Sequence, residues 1–108
     1  YDKIRRVNPD AYIMNGYGPT ETTISCTMKV ITDSRNITIG TPNGNVKVYI
    51  VDKENKILPD GETGELVIAG LGVGRGYMNL PDKTERELIR PVTLQGSALR
   101  VRLNFSEE

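Results

Sequence analysis

Residues 46–69 read VKVYIVDKENKILPDGETGELVIA, and their alternation decides what kind of fold this chain takes. The run VKVYIVD is β-branched and aromatic, with Val46, Val48 and Ile50 on one face of an extended chain and Lys47, Tyr49 and Val51 on the other. Asp52, Lys53, Glu54 and Asn55 are turn formers, so Lys56, Ile57 and Leu58 return antiparallel. Pro59, Asp60 and Gly61 then turn the chain again. Glu65, Leu66, Val67, Ile68 and Ala69 supply a further strand. The spacing predicts an antiparallel meander inside a small distorted β-barrel or curled sheet.

Working outward, Pro81 and Asp82 open a short helix running to Leu88, with Asp82 near its positive N-terminal end. Ile4 and Val7 lie three apart among Lys and Arg, which marks residues 1–7 as helical until Asn8, Pro9 and Asp10 end the run. Residues 11–14, AYIM, form a short apolar run read as a buried strand. The expected class is mainly β with short helices, α+β. Residues 1–90 form one β-barrel-like subdomain, and 91–108 form a tail in which residues 98–103 alternate like one more strand.

Composition narrows the chemistry. With 108 residues and 37% apolar content the chain holds one modest core. Fourteen basic residues balance fourteen acidic ones, which argues against nucleic acid or an anionic membrane as partner. His is absent, so Ser-His and Cys-His catalysis and histidine zinc sites are excluded within these residues. The single cysteine, Cys26, cannot close an internal disulfide and is read as a small packed apolar group. No apolar run approaches the ~18 residues of a membrane span, and the first residues do not resemble a signal sequence, so the cytoplasm is the expected location.

Residues 15–27, NGYGPTETTISCT, have a different character. Asn15 offers an amide donor and acceptor, Tyr17 a flat ring, Thr20 a hydroxyl and Glu21 an acceptor-only carboxylate. An amide reads a purine edge, a ring stacks on its face, a hydroxyl meets phosphate and a carboxylate holds a hard cation, so the set suits a Mg-nucleotide. The same residues would serve equally well in a turn whose side chains satisfy local backbone groups, and composition does not separate the two readings.

Two ordered motifs separate them. NGYGPTETT resembles the Asn-x-Tyr-Gly-Pro-Thr-Glu segment of the amino-acid adenylation domains of nonribosomal peptide synthetases, members of the adenylate-forming superfamily. Some forty residues later, GETGELVIAGLGVGRGYMNLPDKTER (61–86) resembles that family's Gly-Glu-Leu strand, glycine-rich turn, Arg-Gly-Tyr and Pro-x-x-Thr sequence. By resemblance Asn15 and Tyr17 bind adenine, Thr20 contacts phosphate as a catalytic group, and Glu21 helps hold Mg²⁺. Gly16, Ile24 and Ser25 fall at substrate-pocket positions. Pro19 favours the amino-acid-activating branch over the acyl-CoA synthetases. The implied activity is aminoacyl-AMP formation from ATP and an amino acid, followed by transfer to the phosphopantetheine thiol of a carrier domain.

Within the second motif, residues 70–76, GLGVGRG, fail the spacing of a dinucleotide-binding loop and lack a Walker lysine. They are read as a structural turn with Arg75 and Tyr77 as its anchors. The resemblance covers residues 1–88. The family's phosphate loop, ribose-binding Asp and catalytic Lys have no counterpart in the sequence, so it implies an inactive fragment, the β-rich C-terminal subdomain of an adenylation domain's large N-terminal part. Its natural partner would be the rest of that domain. Two other readings stand beside this one. One is a stand-alone β-barrel interaction module that self-associates through an exposed former interface, and the other is an acyl-CoA synthetase fragment.

Overall fold

The computed structural model describes residues 1–89 and 98–101. In chain order these form helix α1 (Asp2–Val7), strand β1 (Met14–Tyr17), a 3₁₀ turn (Thr20–Thr22), β2 (Thr27–Val30), β3 (Thr41–Pro42), β4 (Val46–Val51), β5 (Glu65–Gly70), α2 (Pro81–Glu87), β6 (Leu88–Ile89) and β7 (Ala98–Val101). The strands make two antiparallel sheets, β1-β2-β3 and β4-β5-β7-β6.

Both helices start and stop where local chemistry dictates. In α1, Asp2 lies in the first turn and Arg5 and Arg6 in the last, each placed to suit the helix dipole. Asn8 then turns extended ahead of Pro9, because the proline ring disfavours helical backbone at the preceding residue. In α2, Pro81 occupies the first turn together with Asp82, a position where a missing N–H costs no hydrogen bond.

The core is built around β5. Leu66, Val67, Ile68 and Ala69 are all buried, which requires apolar neighbours on both faces of the strand. Val67 and Ala69 pack with Val51 and Tyr49. Leu66 and Ile68 pack with Cys26, Tyr17, Val46, Val48 and Ile50. The two faces of β4 are therefore divided as its alternation predicts. Cys26 is fully buried, in keeping with a packing role, and its thiol donates to the Tyr17 carbonyl at 3.3 Å.

The expected class holds, with three differences in detail. First, β5 pairs with β4 directly, from Val46↔Gly70 to Val51↔Glu65, so Lys56, Ile57 and Leu58 do not lie between them. That segment instead touches the other edge of β4 at a Val51–Ile57 bridge. It goes no further because Pro59 has no N–H to extend a ladder. Second, the described residues form two open sheets and no closed barrel, since β3 is two residues long and ends at Pro42. Third, the first strand lies at Met14–Tyr17 rather than 11–14. Its position is set by β2, which pairs from Met14↔Val30 to Tyr17↔Thr27, and Tyr12 remains exposed. Of the tail, Ala98–Val101 forms the strand between β5 and β6, while residues 90–97 and 102–108 lie outside the described residues.

Candidate functional site

The first motif begins as strand and ends as a strained turn. Alternation along β1 puts Asn15 and Tyr17 on one face of the sheet and Met14 and Gly16 on the other. After the 3₁₀ turn, Thr23 (φ 60°) and Ile24 (φ 73°) both adopt left-handed backbone, which is unfavourable for β-branched residues and costs of order 1–3 kcal/mol each. Three contacts hold the turn. Thr23 Oγ1 donates to the Gly72 carbonyl at 2.7 Å, Asn43 Nδ2 donates to the Ser25 carbonyl at 3.1 Å, and buried Cys26 donates its N–H to the Tyr17 carbonyl at 2.8 Å. Gly18 lies beneath. A Cβ there would stand 2.5 Å from the Ile24 carbonyl oxygen and 2.8 Å from the Cys26 nitrogen.

The second motif closes over the first. Gly74 N–H donates to the Glu21 carbonyl at 2.7 Å, and Tyr77 Oη donates to Glu21 Oε1 at 2.5 Å across 56 positions of sequence. This bond holds the Glu21 carboxyl below the usual carboxylate range, aided by a bond to its own backbone and by the Lys83 charge, with burial opposing. It also pushes the Tyr77 phenol up to about 12, helped by burial and by the charges of Glu21 and Glu87. Lys83 Nζ stands 4.0 Å over the Tyr77 ring. The Tyr77 N–H donates to Thr84 Oγ1 at 2.9 Å, and that hydroxyl donates onward to the Leu80 carbonyl at 2.9 Å.

The turn at residues 70–76 is thus structural, as its sequence suggests, and Tyr77 is one of its anchors. Arg75 is not. It is exposed and forms no hydrogen bond or ion pair among the described residues, because the backbone of Gly72 and Gly74 makes the fixing contacts instead.

Thr20, Glu21, Gly74, Gly76, Tyr77 and Leu88 line a groove of about 270 Å³. Of the residues singled out in the sequence, the structure brings Thr20 and Glu21 together there. Gly16 and Ser25 meet at a different place, where a Cβ on Gly16 would lie 3.6 Å from Ser25 Oγ. Ile24 is 79% exposed. Asn15 Nδ2 donates to the Thr38 carbonyl at 2.8 Å, which fixes the amide and ties down the loop after β2. The Tyr17 ring packs against the Cys26, Leu66 and Ile68 cluster, and burial pushes its phenol up. Tyr77 is the site residue that residue chemistry missed as a partner of Glu21. Its signal was its place in the second motif.

No group of three or more His, Cys, Asp or Glu side chains among the described residues forms a metal site. A single carboxylate beside a hydroxyl suits a Mg²⁺ ion that arrives on a nucleotide, since Mg²⁺ keeps its waters and takes one or two carboxylates plus substrate phosphates. The donor set therefore fits a nucleotide-borne cation.

The model of the family described as AMP-binding enzyme matches residues 1–78. Bacitracin synthase 3 of Bacillus licheniformis is 48% identical over 88 residues, covering 75% of this chain and 1% of that protein. The D-alanine--D-alanyl carrier protein ligase of Streptococcus agalactiae serotype V is 41% identical over 87 residues, covering 76% of this chain and 17% of the ligase. Among solved structures, a four-domain nonribosomal peptide synthetase bound to AMP and glycine superposes with a TM-score of 0.78 at 34% identity, over 83% of this chain and 7% of that one. The chain thus spans a small part of each relative. The family match covers the strained turn, every groove-lining residue except Leu88, and both partners of the Tyr77–Glu21 bond, and this chain belongs to the AMP-binding enzyme family.

Proposed function

We propose that this chain is part of an enzyme that adenylates an amino acid and loads it onto a carrier. In that reaction a substrate carboxylate oxygen attacks the α-phosphorus of ATP, the α–β phosphoanhydride bond breaks, and pyrophosphate leaves. The phosphopantetheine thiolate of a carrier domain then attacks the acyl carbon, and AMP leaves. The observation that carries the reading is the groove that joins Thr20 and Glu21 beneath Tyr77, within a segment similar to both peptide synthetases and a carrier protein ligase.

Thr20 would donate to phosphate, and Glu21 would hold the Mg²⁺ that offsets charge on the phosphate oxygens. Asn15 and Tyr17 would bind adenine, and Gly16, Ile24 and Ser25 would shape the amino-acid pocket. We place the reaction in the cytoplasm. No helix among the described residues is long and apolar enough to cross a membrane. The test is amino-acid-dependent ATP–pyrophosphate exchange by the full-length protein, measured with each amino acid in turn. Exchange with one or a few of them is expected, and exchange with none would refute the reading.

We further propose that the exposed face carrying Met14, Met28 and Val30 packs against the rest of the adenylation domain. Exposed apolar patches of this kind mark interaction surfaces. The 108-residue chain alone is therefore expected to self-associate or bind an apolar dye. A compact monomer at high concentration that binds no dye would contradict this.

A further inference from the structure

We propose that Tyr77 is a positioning residue for Glu21, its hydroxyl fixing the orientation of the Glu21 carboxylate in the groove for a nucleotide-bound divalent cation. The inference rests on the adenylation reading above and assigns a role to a residue that reading leaves unused.

Glu21 lies in a groove open to solvent, and a free glutamate there would sample several rotamers. Ordering such a side chain costs rotamer entropy, and a ligand meeting a disordered carboxylate must bear that cost on binding. Here the cost is met in advance. One turn clamps Glu21 twice, with the Gly74 N–H on its carbonyl and the Tyr77 hydroxyl on Oε1. No other side chain among the described residues donates to the carboxylate.

The clamp is itself rigid. Tyr77 is tied through its N–H to Thr84 of α2. Gly76 lets the chain pass close to that helix, at φ 145° and with a Cβ position only 2.6 Å from Thr84 Cγ2. The Lys83 ammonium stands over the face of the ring, an attraction that helps hold the ring in place. Partners one step behind a metal ligand orient it in this way, and their loss typically weakens metal binding by roughly 10–100-fold.

The experiment uses the full-length protein with Mn²⁺ and ATP, reading free Mn²⁺ by its electron paramagnetic resonance signal. Wild type is compared with Glu21→Gln, Tyr77→Phe, Thr84→Val and the Glu21→Gln/Tyr77→Phe double variant. Tyr77→Phe is expected to weaken Mn²⁺ binding roughly tenfold, and to weaken it no further when added to Glu21→Gln. A Tyr77→Phe protein within about twofold of wild type, while Glu21→Gln is clearly weaker, would overturn the proposal and leave the adenylation reading standing. So would two effects that simply add. A Glu21→Gln protein that binds Mn²⁺ like wild type would remove the cation role of Glu21 itself, and the role of Tyr77 with it. Thr84→Val keeps the Tyr77 hydroxyl, removes the acceptor that ties down the Tyr77 N–H, and serves if Tyr77→Phe fails to fold. It is expected to weaken binding about two- to fivefold, and unchanged affinity would overturn the proposal.

Discussion

Gly40→Ala is expected to lower the stability of the chain by about 3–5 kcal/mol, a large part of what a small domain has. Gly40 has φ 81°, and a Cβ there would stand 2.1 Å from the Met28 carbonyl oxygen and 2.7 Å from Lys29 Cβ. The obstacle is the backbone of β2, which is paired to β1 and cannot step aside without breaking the sheet that carries Asn15, Gly16 and Tyr17. Three other glycines separate the two causes. Gly61 has φ 91° with nothing within 4 Å, so Gly61→Ala should cost only the left-handed backbone, about 1 kcal/mol. Gly18 has no left-handed φ but meets backbone atoms at 2.5–2.9 Å, so Gly18→Ala should cost about 1–3 kcal/mol by crowding alone. Gly44 has neither problem, and Gly44→Ala should stay within about 0.5 kcal/mol of wild type. Urea unfolding of the four variants gives the ranking. A Gly40→Ala chain as stable as Gly61→Ala would mean that the 38–40 loop does not pass against β2.

These glycines show what the sequence does and does not carry. The division of β4 into two apolar faces, the burial of β5 and the start of α2 at Pro81 were legible, because each follows from spacing or from one residue's backbone chemistry. The strand β2 was not singled out, since TMKV alternates weakly and gains its place by pairing with a motif that looked like loop. Whether the sheet closes into a barrel or stays open was left undecided by the sequence, because closure depends on whether β3 is long enough to bridge, and Pro42 stops it. The resemblance singled out Thr20 and Glu21, and both line the groove. The Tyr77–Glu21 bond spans 56 positions and leaves no periodic trace. Arg75 shows the converse, a charged residue inside a motif whose anchoring is performed by neighbouring peptide groups. Asn15 and Tyr17, proposed to bind adenine, have a second side, since both make structural contacts at their places in β1.

That second side governs how the nucleotide reading is to be tested. In the full-length protein, Glu21→Ala is expected to reduce kcat/KM for ATP–pyrophosphate exchange by about 10²–10³, because the lost cation contact is worth several kcal/mol as charge develops on phosphate oxygens. Raising Mg²⁺ should recover part of the loss, which a general packing defect would not do. Tyr17→Ala is a poor probe, since removing a ring packed on Cys26, Leu66 and Ile68 opens a cavity and lowers stability whatever the ring does for adenine. Tyr17→Leu keeps much of the apolar volume and removes the flat face. It should raise KM for ATP roughly tenfold with kcat little changed, the pattern of lost ground-state stacking. The 108 residues alone should give no exchange, because the reaction needs carboxylate and α-phosphate held in line by several converging groups. Among the described residues the groove gathers one hydroxyl and one carboxylate for that task, with Tyr77 committed to Glu21. Robust exchange by the isolated chain would show that these groups suffice. A full-length protein indifferent to Glu21→Ala at limiting Mg²⁺ would show that the groove does not hold the cation.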